Sequence, residues 1–509
     1  MVRERNETVG RNKRGFEDWR RGLGFVLGPA AGAVLLLLPL PGLTREAHTL
    51  AAVIAWVVVW WIGEPVPLPV TALWGAVLCV LTGVAPAKAA FAAFADPMIF
   101  LFLGSFLLAE AMSVHGLDRR FAYSLMSMRW IGDRPGRLLF VFGAIAAFIS
   151  MWISNTATAA MMFPIGLGII AAMSGPSEKK GDAAVPPSRF AVGMMLMTSY
   201  AASAGGIGTP VGTPPNIIGL ALIKKFTGVD IPFFRWMLFA VPLLIVMYFI
   251  LFGLLSLLHR PEPGTLRGGD DFIRRERAAL GPWTRGQKNA LLAFATAVFL
   301  WIAPGLAGLF FGGASAPAKF FESRVPESIA ALAAGLLLFV LPVDRRKREF
   351  TLTWRQALNI DWGTLLLFGG GITLGELMFR TGLADAVGHG LLRLSGASSL
   401  WGITLAAVFI AILVSETTSN TASANMVVPV IISLAMAAGV NPVPPAVGAT
   451  LGASWGFMLP VSTPPNAIVY SSGLLPITKM IRAGVLFDLL GGLTIWVGLR
   501  LLLPLVGLA

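Results

Sequence analysis

The triplet Ser-Asn-Thr occurs twice inside apolar sequence, at Ser154-Asn155-Thr156 and at Ser419-Asn420-Thr421, 265 residues apart. Each copy has a companion break downstream: Thr213-Pro214-Pro215-Asn216 after the first, Thr463-Pro464-Pro465-Asn466 after the second. Proline inside a helix removes a hydrogen bond and clashes with the preceding turn. The glycines at 205, 206, 208 and 212 ahead of the first break permit dihedrals that other residues avoid. The chain therefore cannot fold as a bundle of uninterrupted helices. The pattern predicts helices broken at matching places in two halves, as in membrane proteins whose binding site sits at a repeat interface.

Of the 509 residues, 56% are hydrophobic and only 13% charged, and the mean hydropathy is +0.76. A soluble chain of this length would need far more charge on its surface. The apolar runs approach or reach the roughly 20 residues that cross a bilayer. They are continuous rather than alternating, which excludes a β-barrel. The formal charge of +13 does not point to nucleic acid, because the Arg and Lys residues cluster in loops between apolar runs. Cys79 is the only cysteine, so no intrachain disulfide exists, and the four histidines have no metal-ligand spacing.

The sequence predicts a polytopic all-α protein with eleven transmembrane spans and two re-entrant hairpins. Residues 1–22 read as a basic, partly disordered cytoplasmic tail. The first four spans are expected at 23–43, 49–64, 68–87 and 97–113, within a unit 23–137 that ends in a basic stretch. Residues 138–258 form a second unit. It holds a hairpin with arms at 138–153 and 157–172, each shorter than a comfortable span. A loop at 174–188, a broken fifth span at 189–225 and a sixth at 233–257 complete it. The polar segment 259–288 reads as a cytoplasmic linker. Spans seven to nine, at 289–312, 327–343 and 362–380, fall in a unit 289–395. The last unit, 396–509, holds the second hairpin at about 399–435, the broken tenth span at 443–472 and the eleventh at 480–506.

With the N-terminus inside, eleven crossings place every arginine-rich loop on the cytoplasmic side and the C-terminus outside. The two hairpins then enter from opposite faces, as an inverted repeat requires. Residue matches support that repeat. Gly104, Glu110, Gly116 and Leu117 match Gly370, Glu376, Gly382 and Leu383 at an offset of 266. Pro164 matches Pro429 at 265, and the downstream motifs match at 250.

The hairpin tips offer hydroxyl and amide groups, and helices that begin there aim free N–H groups and positive dipole ends at any ligand. Free N–H groups favour an anion, while carbonyl, hydroxyl and amide oxygens favour a hard cation such as sodium. No Arg or Lys lies within either motif, so an anion would be held by neutral donors with cations balancing its charge. Glu110, Glu376 and Glu416 are carboxylates in apolar runs, readable as functional groups or as hydrogen-bonding partners of helix ends. Trp60, Trp61 and Trp283 read as interfacial anchors.

The paired Ser-Asn-Thr triplets, with Gly-Thr-Pro-Pro-Asn at 212–216 and Leu-Pro-Val-Ser-Thr-Pro-Pro-Asn-Ala at 459–467, resemble the divalent-anion:sodium symporters. The resemblance covers nearly all of the chain after residue 22. It implies a homodimer with an elevator mechanism: spans 1–4 and 7–9 as scaffold, and the hairpins with spans 5, 6, 10 and 11 as the moving part. Carried over, one sodium site resembles Ser150, Ser154, Asn155 and the backbone at Gly212. The other resembles Ser415, Thr418, Asn420 and the backbone at Ser462. Substrate carboxylates would meet Asn155, Thr156 and Thr213 on one side, and Ser419, Asn420, Thr421, Thr463 and Pro464 on the other. Ser415 stands where the family often has Thr, and Ser462 where a small apolar residue is common. The implied activity is sodium-coupled symport of C4 dicarboxylates such as succinate, malate or fumarate across the plasma membrane. Dicarboxylate exchange and sulfate transport are the alternatives within this class. An intramembrane hydrolase lacks a base near either triplet, and a channel fits two converging hairpins less well than alternating access does.

Overall fold

The computed structural model describes residues 2–128, 134–174, 188–260, 269–312, 315–396 and 399–509. Most of it is helix. Eleven of the described helices are long and apolar enough to cross a membrane. The number equals the expected number of spans, but the membership differs. Three of the eleven, Asn155–Ala172, Leu400–Thr417 and Asn420–Ala437, are arms of the helix pairs around the triplets. The expected third and eighth spans are shorter helices, Leu68–Leu81 and Glu327–Leu337, and the tenth is split.

The expectation of short arms in the first hairpin holds for Pro135–Ser150, which stays shorter than a span, and is corrected for Asn155–Ser174. The arms are Pro135–Ser150 and Asn155–Ser174 in the first half, Leu400–Thr417 and Asn420–Ala437 in the second. Pro164 and Pro429 sit inside their helices without ending them. Asn155–Ser174 alone has 20 residues, about 30 Å of helix.

The basic tail is helical: one helix runs Val2–Leu37, and only Asp18–Leu37 of it has the composition of a span. Trp60 and Trp61 are buried within the chain instead of standing as interfacial anchors. The first helix crosses the second closely enough that Gly24 and Gly63 nearly touch, which folds the Trp60 indole against Phe25. Trp283 is partly exposed but lies under the Arg120 guanidinium, 5.0 Å from its centre. That Arg120 also donates to the carbonyls of Leu280 and Gly281. The linker is thus docked, and it contains a helix, Gly269–Ala279. The expected loop at 174–188, apart from its two ends, and linker residues 261–268 lie outside the described residues.

Two amphipathic helices, Leu117–Met126 and Leu383–Ser395, follow the long helices Pro97–Val114 and Trp362–Thr381. Each is entered through a glycine with positive φ, Gly116 at 64° and Gly382 at 80°. That conformation suits glycine and turns the chain sharply. A small two-stranded hairpin, Pro342–Asp344 with Glu349–Phe350, is the one described departure from an all-helical fold.

The broken spans form the centre. Every residue from Phe190 to Gly205 is buried. Tyr200 donates to the carbonyl oxygens of Phe457 at 2.8 Å and Met480 at 3.0 Å, tying the first broken span to the second and to the last helix. Ser199 donates to Asn466 Oδ1 at 2.5 Å.

Candidate functional site

Both triplets lie at helix starts. Ser419 caps the second arm by accepting the N–H of Ala422 at 3.2 Å, and Ser154 accepts that of Ala157 at 3.3 Å. A serine oxygen in this position satisfies one of the free N–H groups of the first turn. The next residues, Asn155-Thr156 and Asn420-Thr421, open the helices. The downstream motifs do the same: Pro214–Thr227 and Pro464–Tyr470 begin immediately after Thr213 and Thr463. Proline at the first helical position loses only an N–H that would be unpaired anyway.

Two unwound segments precede those prolines, and the same asparagine closes each. Asn216 Nδ2 donates to the carbonyls of Gly206 at 3.0 Å and Thr209 at 2.8 Å. Asn466 Nδ2 donates to those of Gly456 at 3.5 Å and Leu459 at 2.9 Å. Each of these pairs is related by the 250-residue offset. The amide replaces backbone partners that the proline-broken helix cannot supply.

All eight residues expected to face substrate line one cavity of about 670 Å³: Asn155, Thr156, Thr213, Ser419, Asn420, Thr421, Thr463 and Pro464. Four helix starts converge on it. Among the described residues its lining contains no Arg or Lys, and its carboxylates are Glu110 and Asp361. Leu68, Pro69, Phe106, Ala109, Asn359, Ile360, Asp361, Gly363 and Thr364 also line the cavity. Glu110 meets the amide of Asn359 at 3.5 Å. Asp361 caps the helix that follows it by accepting the N–H of Thr364 at 2.9 Å.

Of the residues carried over as sodium ligands, Ser154, Asn155, Asn420 and Ser462 line the cavity, while Ser150, Gly212, Ser415 and Thr418 lie outside its lining. Ser150 donates to Asn155 Oδ1 at 2.8 Å, and Ser415 donates to Asn420 Oδ1 at 2.8 Å and to the Ala453 carbonyl at 2.8 Å. At Gly212 the space a Cβ would take is ringed by three backbone oxygens, of Gly206 at 2.5 Å and of Met151 and Ser150 at 2.9 Å. Such a cradle of neutral oxygens fits a hard cation. The second half differs. The Ser462 hydroxyl is committed to Glu416 Oε2 at 2.6 Å, and the Thr418 hydroxyl donates to the Val414 carbonyl at 2.8 Å. Their hydroxyl hydrogens are spoken for, but the oxygen lone pairs and the Ser462 carbonyl remain for a cation.

Glu416 also accepts the N–H of Met458 at 2.9 Å, so this carboxylate staples the tip of the second pair to the unwound segment. Glu376 pairs with Lys225. Asp488, in the last helix, escaped the sequence reading. It is 1% exposed and faces Glu416, with the backbone N–H of Phe457 beside it, and neither carboxylate oxygen makes a well-formed hydrogen bond among the described residues. A single acidic residue inside the final apolar run was the available signal. Asn216 and Asn466 were legible as motif letters, but not as the residues that hold the unwound segments.

Comparison with known proteins agrees with this architecture. The family profile described as the Sodium:sulfate symporter transmembrane region matches residues 22–506. The sodium-dependent dicarboxylate transporter SdcS of Staphylococcus saprophyticus is 34% identical over 499 residues, covering 97% of this chain and 94% of the relative. SdcS of Staphylococcus aureus is 32% identical over 489 residues, covering 95% and 91%. Among solved structures, the Alcanivorax borkumensis YdaH transporter aligns with a TM-score of 0.52 at 14% identity, covering 96% of this chain and 98% of that one. Neisseria gonorrhoeae MtrF, from a class of antimetabolite efflux pumps, aligns at 0.54 and 13%, covering 90% and 95%. These two structures speak for the fold alone. The chain is a transporter, not an enzyme, and belongs to the sodium:sulfate symporter family.

Proposed function

We propose that the protein is a sodium-coupled symporter of small di-anions, C4 dicarboxylates such as succinate, malate or fumarate, in the plasma membrane. One observation carries this reading: the two triplets and their two downstream motifs, far apart in sequence, line a single cavity of about 670 Å³ with neutral donors. A di-anion held only by hydroxyls, amides and helix N-termini needs counter-charge, and bound sodium supplies it. The names of the staphylococcal relatives support the same substrate and ion.

In this reading Asn155 and Asn420 each serve two ligands. The amide N–H groups face the carboxylates, together with Thr156, Thr213, Ser419, Thr421, Thr463 and Pro464. The amide oxygens face sodium, with Ser150, Ser154 and Gly212 at the first site and Ser415, Thr418 and Ser462 at the second. The helix pairs are re-entrant and move with the broken spans and the sixth and eleventh spans, units 138–258 and 396–509. Units 23–137 and 289–395 form the scaffold of a homodimer. The transport is of the elevator type, with the N-terminus cytoplasmic and the C-terminus external.

The test is uptake of radiolabelled succinate into proteoliposomes, with and without an inward sodium gradient. Sodium-driven uptake into empty vesicles is the expected result. Uptake only into succinate-loaded vesicles, regardless of sodium, would replace symport with exchange. Uptake of sulfate but not succinate would move the substrate class.

A further inference from the structure

The cavity occupies one end of the helix Trp362–Thr381. Gly363 and Thr364 line it, and Glu376, thirteen residues further on, lies about 20 Å along the helix axis. At that far end the helix is fastened to the first broken span. Lys225 Nζ donates to Glu376 Oε2 at 2.6 Å. The neighbouring Phe226 stacks on Phe379 with ring centres 4.0 Å apart. Gly375 lies against the same ring, where a Cβ would sit at ordinary contact distance, 3.4 Å from Phe226.

The repeat provides a mirror position for each partner. Glu376 corresponds to Glu110 at the 266 offset, and Lys225 to Leu475 at the 250 offset. Glu110 faces the cavity with the Asn359 amide beside it, and Leu475 is apolar and buried. The helices differ too. Pro214–Thr227 runs fourteen residues and carries Lys225 in its last turn, whereas Pro464–Tyr470 stops after seven. The second half lacks both the cation and the turn that would present it.

We propose that Lys225–Glu376 and the Phe226–Phe379 stack form a latch that shuts the face opposite the cavity. Because the repeat has no mirror of it, the latch biases the protein toward the state seen here. This rests on the alternating-access reading above. Movement of the carrying unit must break the pair, and the mirrored state would bring Glu110 toward Leu475, where no charge answers it.

The experiment uses the full chain with Ala160→Cys as reporter, a cavity-lining and exposed position; the native Cys79 is buried. Labelling by a membrane-impermeant maleimide is compared in right-side-out and inside-out vesicles. In Lys225→Leu the ratio of labelling between the two faces is expected to shift about two- to fivefold away from the cavity's face, the range a partly exposed ion pair commands. Lys225→Glu combined with Glu376→Lys is expected to restore it. An unchanged ratio in Lys225→Leu, or a swap that behaves like the single variant, overturns the latch. Sodium-driven succinate uptake by the native chain is measured in parallel. Its absence would defeat the proposed function, while uptake with an unmoved ratio would defeat the latch alone.

Discussion

Ser150 donates its hydroxyl hydrogen to Oδ1 of Asn155 at 2.8 Å across the tip of the first helix pair. The second tip repeats the bond between Ser415 and Asn420 at the same 2.8 Å. Each bond turns the amide oxygen toward the serine, and Nδ2 has no acceptor among the described residues. Asn155→Ala and Asn420→Ala are therefore each expected to abolish sodium-driven uptake while the chain still folds, because the tip is partly open to the cavity. Ser150→Ala is expected to weaken sodium activation more than maximal uptake. Uptake at native rates in both asparagine variants, with size-exclusion profiles unchanged, would remove these residues from the site.

Gly206 is placed by close approach rather than by a turn. A Cβ there would lie 2.3 Å from Asn155 Oδ1. Gly206→Ala must push the amide off its position and is expected to lose uptake while keeping its thermal stability within about 1–3 kcal/mol, the usual cost of an overpacked contact. Gly456, its mirror, has Ser415 Oγ at 3.3 Å, so Gly456→Ala should be milder. Gly253, in mid-helix with nothing within 4 Å, is the control. Gly253→Ala should stabilise the fold by about 1 kcal/mol and leave uptake alone.

Much of this site was readable because it is written twice. Pro-Pro-Asn breaks and Ser-Asn-Thr tips stand out against apolar sequence, and a fixed offset links the copies. Counting apolar residues failed where helix and apolarity part company. It missed Leu117–Met126 and Leu383–Ser395, which carry charge on one face, although their Gly-Leu starts were visible as repeat markers. It extended the eighth span past Leu337, where Leu338–Leu341 leave the helix as turns toward a strand. It cut the second arm of the first hairpin short because it set Asn155 and Thr156 outside the helix that in fact opens at Asn155. Contacts such as Lys225–Glu376, 151 residues apart, have no local signature and required the fold.

Glu416 joins three things that would otherwise separate: the second tip, Met458 and Ser462. Glu416→Ala leaves the Met458 N–H without its acceptor and the Ser462 hydroxyl without its closest one, each costing about 1–3 kcal/mol when buried. Glu416→Gln keeps an oxygen for Met458 and should be clearly more stable than Glu416→Ala. Asp488→Asn removes a buried carboxyl that faces Glu416 and makes no well-formed hydrogen bond and is expected to hold or raise the apparent Tm. Thermal-shift curves in detergent order the three variants. Equal midpoints for Glu416→Ala and Glu416→Gln would deny the staple.

His259 ends the helix Phe233–Leu258 and is 5% exposed. Burial is the main reason its pKa is lowered to about 4, and the charges of Lys479, Arg482 and Arg189 add to it. In the unfolded chain an imidazole takes up its proton near pH 6.5. Between that pH and about 4 the unfolded chain binds a proton that the folded chain refuses, so stability contributed by neutral His259 is present above that window and lost as pH falls through it. The apparent Tm of the native chain is therefore expected to drop from pH 7 to pH 4.5 by more than that of His259→Phe, whose ring carries no charge. Parallel curves for the two proteins would show that His259 is protonated in the folded state, held there by partners stronger than its burial.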